Sequence, residues 1–279
     1  MVTTNWAKTA QNSNKKILIV AGSDPTAGAG VQADLKTITA LGGYAMTVIT
    51  AITVQDTNKV YEVKPVSADL VAQQMAVCLA DIGADAIKLG MLATAEIVEA
   101  VAEQLAAHPD IPVIADPVLA GTGGGELLDG LGRAKFMDLL LPHIDLITPN
   151  GPEAQTLTGL AVRNQQEQEQ AARKLAQYGC GVLLTGGHLP EEKIVDLLLD
   201  KAGNLYPFVS QRLQGATFHG TGCTLASAIA LHMARGIPLH EGVEYALAYL
   251  HKAMVGSLAL GSGQRILQST AESRLKQDI

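Results

Sequence analysis

Short apolar runs alternate along the chain with longer segments of mixed polarity. The run Lys16–Gly22 is bounded by polar residues and glycine, which is typical of a buried strand. The segment Val31–Gly42 predicts a helix that ends at a glycine. Further strands are predicted near Val60–Val63 and at Ala45–Val54, Ala86–Gly90, Pro112–Asp116, Asp145–Thr148, Gly181–Thr185, Ile194–Leu199 and Leu205–Val209. Further helices are predicted after Cys223 and at Ser67–Asp81, Thr94–His108, Gly130–Leu140, Pro152–Gly159, Gln165–Tyr178 and His240–Leu260.

The alternation of strands and helices predicts an α/β fold with a mainly parallel sheet and helices on both of its faces. In such sheets, ligands bind outside the carboxyl ends of the strands. The candidate binding residues are therefore those that directly follow predicted strands: Gly22–Asp24, Gln55, Met91, Asp116, Asn150, Glu153 and Gly186-Gly187.

Composition favours one domain with an aliphatic core. The chain has 279 residues, of which 48% are hydrophobic and only 4% aromatic. No linker interrupts the middle, so we expect a single domain over residues 16–265, with polar tails at 1–15 and 266–279. The net charge of −7 argues against a broad basic face that would bind nucleic acid.

The sequence predicts a cytoplasmic protein that does not enter a membrane. No apolar run is long enough to span a bilayer, and the first residues contain no hydrophobic signal core. Three cysteines, Cys78, Cys180 and Cys223, lie far apart and have no metal-binding spacing. A sparse, odd-numbered set of this kind indicates reduced thiols in the cytoplasm.

The stretch His219–Ala230 is a candidate anion site. Gly220, Thr221 and Gly222 precede Cys223, and an apolar, small-residue helix follows. A glycine-rich turn that opens a helix directs backbone N–H groups and the positive end of the helix dipole at one point. A thiol on the first turn of a helix tends to have a lowered pKa. The alternative is a tight loop-to-helix junction with a buried, inert cysteine.

Carboxylates follow two predicted strands. Asp116 ends the strand before Pro117, where it is either part of an Asp-Pro turn or a ligand for metal or phosphate chemistry. Asn150 and Glu153 stand three residues apart at a strand-to-helix junction. They can form a helix cap, or they can hold a hydrated Mg²⁺ ion through oxygen ligands. The three residues together favour the metal interpretation more than any one of them does.

Other candidates remain open between a functional and an ordinary role. Gln55 is either a polar loop residue or an amide that binds a heterocycle edge. Gly186-Gly187 is either a tight turn or a close approach to a ligand. Asp34 by itself fits a solvated charge on a helix. The loop AGSDPTAGAG lacks the Gly-Lys-Ser/Thr ending of a Walker A loop.

A series of segments between Lys16 and Gly263 resembles the hydroxymethylpyrimidine/phosphomethylpyrimidine kinases of thiamine synthesis, in the ribokinase-like superfamily. The segments are, in chain order, AGSDPTAGAGVQADLKT, IKLGML, DPV, ITPNGPEA, TGGHL and HGTGCTLASAIA. The resemblance implies a ribokinase-like fold with a site between the sheet and a small flap. It also implies a homodimeric kinase that uses ATP and Mg²⁺, phosphorylates a pyrimidine carbinol and then phosphorylates the monophosphate to the diphosphate.

The resemblance also implies roles for individual residues. The pyrimidine would be bound by Gly22, Asp34, Gln55, Met91 and Val118. Asn150, Thr185 and Gly187 would lie at the nucleotide, and Asp116 and Glu153 at the triphosphate and Mg²⁺. Gly220, Thr221 and Gly222 would form the anion hole, with Cys223 where related kinases place an aspartate base.

Two departures from the family pattern remove positive charge near the phosphates. The family carries a lysine after the DPV segment, where this chain has LAGTGGGELL. It often has Lys-Gly-Gly where this chain has Thr185-Gly186-Gly187. Lys88 or backbone N–H groups are the candidates that could compensate.

Two other functions are compatible with parts of the pattern. A pyridoxine or pyridoxal kinase shares the fold, but Gln55 matches the pyrimidine kinases. A regulatory nucleotide-binding protein that is not catalytic would not need the set of Asp116, Asn150, Glu153 and Cys223.

Overall fold

The computed structural model describes residues 14–121, 125–189 and 193–270. Nine strands form the main sheet: β1 (Lys16–Ser23), β2 (Tyr44–Gln55), β3 (Val60–Pro65), β4 (Ala86–Leu89), β5 (Val113–Ala115), β6 (Leu146–Ile147), β7 (Gly181–Leu184), β8 (Lys193–Leu199) and β9 (Leu205–Gln211). Their spatial order is β3-β2-β1-β4-β5-β6-β7-β8-β9. In this spatial order, six neighbouring strands pair in parallel: β2, β1, β4, β5, β6 and β7. The other three strands, β3, β8 and β9, pair antiparallel to their neighbours. The predicted α/β architecture with a mainly parallel sheet is confirmed.

Helices cover both faces of this sheet. Their bounds are α1 (Gly30–Ala40), α2 (Ala68–Asp81), α3 (Ala95–Ala106), α4 (Gly130–Lys135), α5 (Gly151–Thr158), α6 (Gln165–Ala176), α7 (Thr221–Ala234) and α8 (Leu239–Val255). The apolar residues of β1 alternate between the two faces, as the period of a strand requires. Leu18 and Val20 pack with α2, α3 and α6, while Ile17 and Ile19 pack with α1, α7 and α8.

Strands β2 and β3 form the flap. The twelve residues of β2 extend beyond the end of β1, and β3 pairs with this extension in antiparallel register. Ile52 and Val54, which lie opposite Lys64 and Glu62, are more than half exposed on the outer face. The inner face of the flap carries Thr53, whose hydroxyl donates to the carbonyl oxygen of Ser23 at 2.9 Å. This bond ties the flap to the sheet beside the candidate site.

Some predicted boundaries differ from the structure. The helix expected over Gly130–Leu140 is α-helical only to Lys135 and continues as a π-helical turn at Phe136–Leu140 and a 3₁₀ turn at Leu141–His143. The helix expected to reach Leu260 ends at Val255, with Gly256 as its C-cap. The chain then returns to form β11 (Arg265–Ile266), which pairs with β10 (Phe218–His219). Neither of these two-residue strands has enough length to produce a sequence pattern.

The predicted start of the C-terminal tail at residue 266 is wrong. Ile266 and Leu267 are each only 5% exposed, and the N–H of Gln268 donates to the carbonyl oxygen of Ala253. The fold therefore continues past residue 265, because this segment packs along α8. At the other end, β1 begins at Lys16, next to the predicted boundary. Most of the N-terminal tail (1–13) and the end of the C-terminal tail (271–279) lie outside the described residues.

None of the helices within the described ranges is both long and apolar enough to cross a membrane.

Candidate active site

A cavity of about 330 Å³ opens at the carboxyl ends of the central strands. Its walls come from the ends of β1, β2 and β4, the loop after β5, the first turn of α5 and the turn between β10 and α7. Most of the predicted site residues line it: Gly22, Gln55, Met91, Asp116, Val118, Asn150, Glu153, Gly220, Thr221, Gly222 and Cys223. Residues far apart in the sequence meet here because parallel strands end at the same edge of a sheet.

The turn before α7 forms a cradle of backbone donors. Gly220 has a φ of +82°, and a Cβ atom there would lie 1.9 Å from the carbonyl oxygen of Gly28. Only glycine fits this position. The first helical hydrogen bond runs from the N–H of Thr224 to the carbonyl oxygen of Gly220. The N–H groups of Thr221, Gly222 and Cys223 therefore precede the hydrogen-bond ladder of the helix, and they suit an anion.

Two carboxylates lie in the same cavity as this cradle. A Cβ atom on Gly222 would be 3.1 Å from Oδ2 of Asp116, so the carboxylate sits against the glycine. Burial, together with the charge of Asp34, raises the pKa of Asp116 to about 6, although Lys88 opposes the shift. Burial and the charge of Asp116 raise the pKa of Glu153 to about 8. Because the charge of Asp116 raises the pKa of Glu153, a cation beside the two carboxylates would relieve their repulsion.

Glu153 is held in position by a reciprocal helix cap. Its side chain accepts from the backbone N–H of Asn150 at 2.9 Å, and Oδ1 of Asn150 accepts from the N–H of Glu153 at 3.0 Å. This is a capping box at the start of α5. The helix-cap interpretation of the Asn-x-x-Glu spacing is confirmed, and the two residues that cap the helix also line the cavity.

The expectation of a lowered thiol pKa at Cys223 is wrong. Burial raises the pKa of this thiol, and the carboxylates of Asp34 and Asp116 raise it further against the opposing effect of Lys88. The thiol and the Asp116 carboxylate are neighbours in the cavity, and the thiol in turn lowers the pKa of Asp116. The helix N-terminus alone would lower the pKa, but nearby carboxylates and the loss of water outweigh it.

The comparisons with known proteins agree with this geometry. A family model described as phosphomethylpyrimidine kinase matches residues 24–268. The chain belongs to this family. It is 38% identical over 255 residues to the hydroxymethylpyrimidine/phosphomethylpyrimidine kinase of Bacillus subtilis, an alignment that covers 89% of this chain and 92% of that protein.

Two further comparisons concern a longer relative and a solved structure. The chain is 42% identical over 248 residues to the thiamine biosynthesis bifunctional protein ThiED of Geobacter sulfurreducens, covering 88% of this chain but only 50% of that protein. Pyridoxal kinase of Bacillus subtilis, solved as an ADP complex, superposes with a TM-score of 0.86 at 31% identity over 94% of this chain and 100% of that one. The phosphomethylpyrimidine kinase family thus shares its fold with pyridoxal kinase.

In this family member, Asp34 does not line the cavity as the resemblance implied. Its side chain is fully buried on α1, and both of its oxygens accept from Nζ of Lys88, at 2.8 and 2.9 Å. The hydroxyl of Ser227 on α7 donates to Oδ1 at 2.8 Å. The carboxylate is committed to these partners beneath the site, so neither pyrimidine binding nor an exposed helix charge describes it.

Thr185 and Gly187 lie beside the cavity rather than on its wall. Thr185 forms a bridge with Asn150, and its N–H donates to the carbonyl oxygen of Pro149 at 3.0 Å. A Cβ atom on Gly186 would lie 2.2 Å from the carbonyl oxygen of Val195, whereas Gly187 has nothing within 4 Å. The pair is thus both a tight turn and an open surface next to Asn150. Thr122–Gly124 of the glycine-rich loop Leu119–Gly125 lie outside the described residues.

The donor set fits a magnesium ion that is shared with a phosphate. Among the described residues, no group of three or more His, Cys, Asp and Glu side chains is placed to hold a metal by itself. Mg²⁺, however, is usually bound by one or two carboxylates together with water and substrate phosphates. Asp116 and Glu153 supply the two carboxylates.

Sequence reasoning missed several lining residues. Gln264 lines the cavity although no motif included it, whereas Asp24 and His219 lay within candidate segments but had no role of their own. Asp24 organises its own loop by accepting from the N–H groups of Thr26 and Ala29, each at 2.8 Å. Its position two residues after a predicted strand was the signal that made it a candidate. Gln264 follows no predicted strand and could not have been found.

Proposed function

We propose that the chain phosphorylates 4-amino-5-hydroxymethyl-2-methylpyrimidine with ATP and then converts the monophosphate to the diphosphate. In the first step, the hydroxymethyl oxygen forms a bond to the γ-phosphorus, the bond to the β-phosphate oxygen breaks, and ADP leaves. In the second step, a phosphate oxygen of the monophosphate is the acceptor. Membership of the family and the relative from Bacillus subtilis support both steps.

One observation in particular carries this proposal. The N–H cradle at Gly220–Cys223 and the Asp116–Glu153 pair line a single cavity that also holds Gln55. Phosphoryl transfer depends on positioning and charge stabilisation more than on covalent chemistry. The cavity combines an anion site, a place for a cation and a polar group that can bind the heterocycle. It can therefore both position the substrates and stabilise the charge that develops during transfer.

The residues would divide the work in the following way. The N–H groups of Thr221 and Gly222 would donate to the phosphoryl oxygens on which negative charge develops. Asp116 and Glu153 would hold Mg²⁺, which neutralises phosphate charge when bound. Cys223 starts as a neutral thiol beside Asp116, because burial raises its pKa. It would orient the acceptor hydroxyl and accept its proton only as the thiol proton moves to the carboxylate.

We place the nucleotide along Asn150, Thr185 and Gly187. The bridge between Thr185 and Asn150 makes one continuous edge beside the cavity. The open space at Gly187 would allow the nucleotide to approach the backbone. Gly187 lies in the loop that follows β7. The guanidinium of Arg212 donates to the carbonyl oxygens of Gly187 and Leu189, at 2.8 and 2.6 Å, and so fixes the path of this loop.

Pyridoxal phosphorylation is a second candidate activity, because a solved pyridoxal kinase superposes on nearly the whole chain. A coupled assay of ADP release from ATP, run with the aminopyrimidine carbinol and with pyridoxal, tests both. We expect a higher kcat/KM for the aminopyrimidine. Higher efficiency with pyridoxal would reverse the assignment, and no transfer to either carbinol would reject kinase activity on these substrates.

We also propose that the protein is a homodimer formed through the outer face of the flap. Ile52 and Val54 are each more than half exposed there, which is unfavourable for an isolated apolar surface. Light scattering coupled to size-exclusion chromatography should report a dimer for the native chain and a monomer for Val54→Asp. Val209→Asp is the control, because Val209 is 63% exposed on the edge strand β9 at the other end of the sheet. A native monomer would reject the proposal.

A cytoplasmic location is proposed on two grounds. The substrate ATP is a cytoplasmic metabolite, and all three cysteines are free thiols. Fractionation of cells that express the tagged chain tests this location.

A further inference from the structure

We propose that the buried pair of Lys88 and Asp34 supplies the positive electrostatic potential that draws the terminal phosphates of the nucleotide to the cradle at Gly220–Cys223. The inference rests on the proposed kinase function and assigns Lys88 as a positioning residue. Asp34 in turn holds the ammonium group of Lys88 in place.

The pair lies directly beneath the cradle. Lys88 is on β4, and its Nζ atom would be 3.0 Å from a Cβ atom on Gly90, a residue that lines the cavity. Asp34 joins Lys88 to the cradle helix through Ser227, which stands one turn after Cys223 on α7. Lys88 and Asp34 are both 0% exposed. A charge sealed in this way is screened by salt far less than one in solvent.

The cavity lacks positive charge of its own. Three carboxylates line it, those of Asp24, Asp116 and Glu153, and the lining residues within the described part of the chain include neither lysine nor arginine. A bound nucleoside triphosphate would add further negative charge to this surface. Backbone N–H groups and one divalent ion offset part of that charge. Lys88 places a cation immediately behind the wall at Gly90.

The pair is oriented with its positive end towards the site. Nζ of Lys88 lies against the cavity wall at Gly90, whereas the partners of the Asp34 carboxylate are Lys88 and Ser227, neither of which lines the cavity. An ion pair has no net charge, so its effect at a distance depends on which partner is nearer. Nζ of Lys88 is the nearer one, and the net potential at the cradle is positive. The same orientation explains why this buried pair would be kept although burying two charges is costly.

The test compares two variants by their relative affinity for nucleotides. Asp34→Asn/Lys88→Met removes both charges with little change in volume, and Asp34→Asn removes only the carboxylate. Calorimetric titration gives the ratio of Kd for AMP to Kd for a non-hydrolysable ATP analogue in each variant. This ratio cancels any general loss of binding, because both ligands share the adenosine and the first phosphate.

We expect the ratio to fall by about tenfold in the double variant relative to the native chain, and to stay equal or rise in Asp34→Asn. Lys135→Met is the control, since Lys135 pairs with Glu99 on α3 and does not line the cavity. An unchanged Kd ratio in a folded double variant overturns the proposal.

If the double variant does not fold, the single variant Asp34→Asn decides the matter, and a fall of its Kd ratio overturns the proposal. Native protein that binds the analogue but transfers phosphate to neither carbinol would reject the kinase assignment instead.

Discussion

The carboxylate of Asp24 and the imidazole of His219 form a hydrogen bond of 2.9 Å between Oδ2 and Nε2, across 195 residues of sequence. Both side chains are almost completely buried. The bond joins the loop after β1 to the residue that precedes Gly220. A Cβ atom on Gly28 would lie 2.4 Å from the His219 ring, so the two loops are also packed closely. The position of the anion cradle therefore depends on a residue at the opposite end of the chain.

Asp24→Asn should destabilise the protein and reduce turnover. The new amide would place an NH₂ group against N–H donors that now meet a carboxylate oxygen, and each unsatisfied buried group costs about 1–3 kcal/mol. Chemical denaturation measures the free energy of unfolding. Asp200→Asn is the control, because Asp200 also accepts several hydrogen bonds but lies in an exposed hairpin turn. Equal losses in both variants would contradict a special role for Asp24.

The effect of Asp24→Asn should also depend on pH. Burial opposes the charge on Asp24, but hydrogen bonds from His219, Thr26 and Ala29 outweigh it and hold the pKa below the usual 3.8. A carboxyl with a lowered folded-state pKa stabilises the fold above its unfolded pKa, and this stabilisation is lost as the pH falls through the folded value. The difference in unfolding free energy between the native chain and the variant should therefore be constant near neutral pH and shrink below about pH 4. If the difference in unfolding free energy grows as the pH falls, the pKa of Asp24 is not lowered in the folded state.

Gln55→Met should lower the preference for the aminopyrimidine over pyridoxal. Gln55 ends β2 on the cavity wall, where its amide can pair with the edge of a heterocycle. Leaving a polar ligand edge unpaired when buried costs about 1–3 kcal/mol, which corresponds to about a fivefold to 150-fold change. The ratio of kcat/KM for the two substrates measures the preference. Gln74→Met is the control, because Gln74 lies on α2 outside the cavity. An unchanged ratio of kcat/KM in Gln55→Met would show that Gln55 does not recognise the aminopyrimidine.

Gly222→Asp should impair both phosphorylations, and the second at least as strongly as the first. The new carboxylate would project towards Oδ2 of Asp116 and into the cradle. A negative charge in an anion site opposes both the transferred group and an acceptor that is itself a phosphate. Loss of one oxyanion donor alone typically costs about 10²–10³ in kcat.

The matched control for this variant is Gly222→Asn, which has the same shape without the charge. Carbinol and monophosphate are supplied separately, and chromatography follows both products over time. If Gly222→Asp loses the first reaction but retains the second at the native rate, the two reactions use different sites.

Cys223→Ala should reduce kcat by about 10²-fold or more while leaving nucleotide affinity close to native. The thiol lies beside Asp116 in the cavity, so its removal breaks the proposed proton path without opening the cradle of N–H groups. Cys223→Ser keeps a donor at this position and should retain more activity than Cys223→Ala. Cys78→Ala on α2 serves as the control. If folded Cys223→Ala keeps the kcat of the native chain, Cys223 takes no part in catalysis and only packs.

The sequence by itself determined the order of the strands and helices and the loops that carry the site. Apolar runs such as Lys16–Gly22 mark buried strands because both of their faces must be covered. Parallel strands then bring Met91, Asp116 and Asn150 to one edge, whatever the details of packing. The glycine at position 220 could also be anticipated in a turn that opens a helix.

Only the tertiary structure decided what the buried polar groups do. Asp34 and Lys88 are 54 residues apart, and nothing local distinguishes this carboxylate from a solvated helix charge or a substrate ligand. The raised thiol pKa of Cys223 likewise depends on Asp34, Asp116 and Lys88, which come from three other segments. Sequence patterns report which side chains avoid water. Electrostatic effects depend on distances through the fold, and these are set only when α1, β4, β5 and α7 pack together.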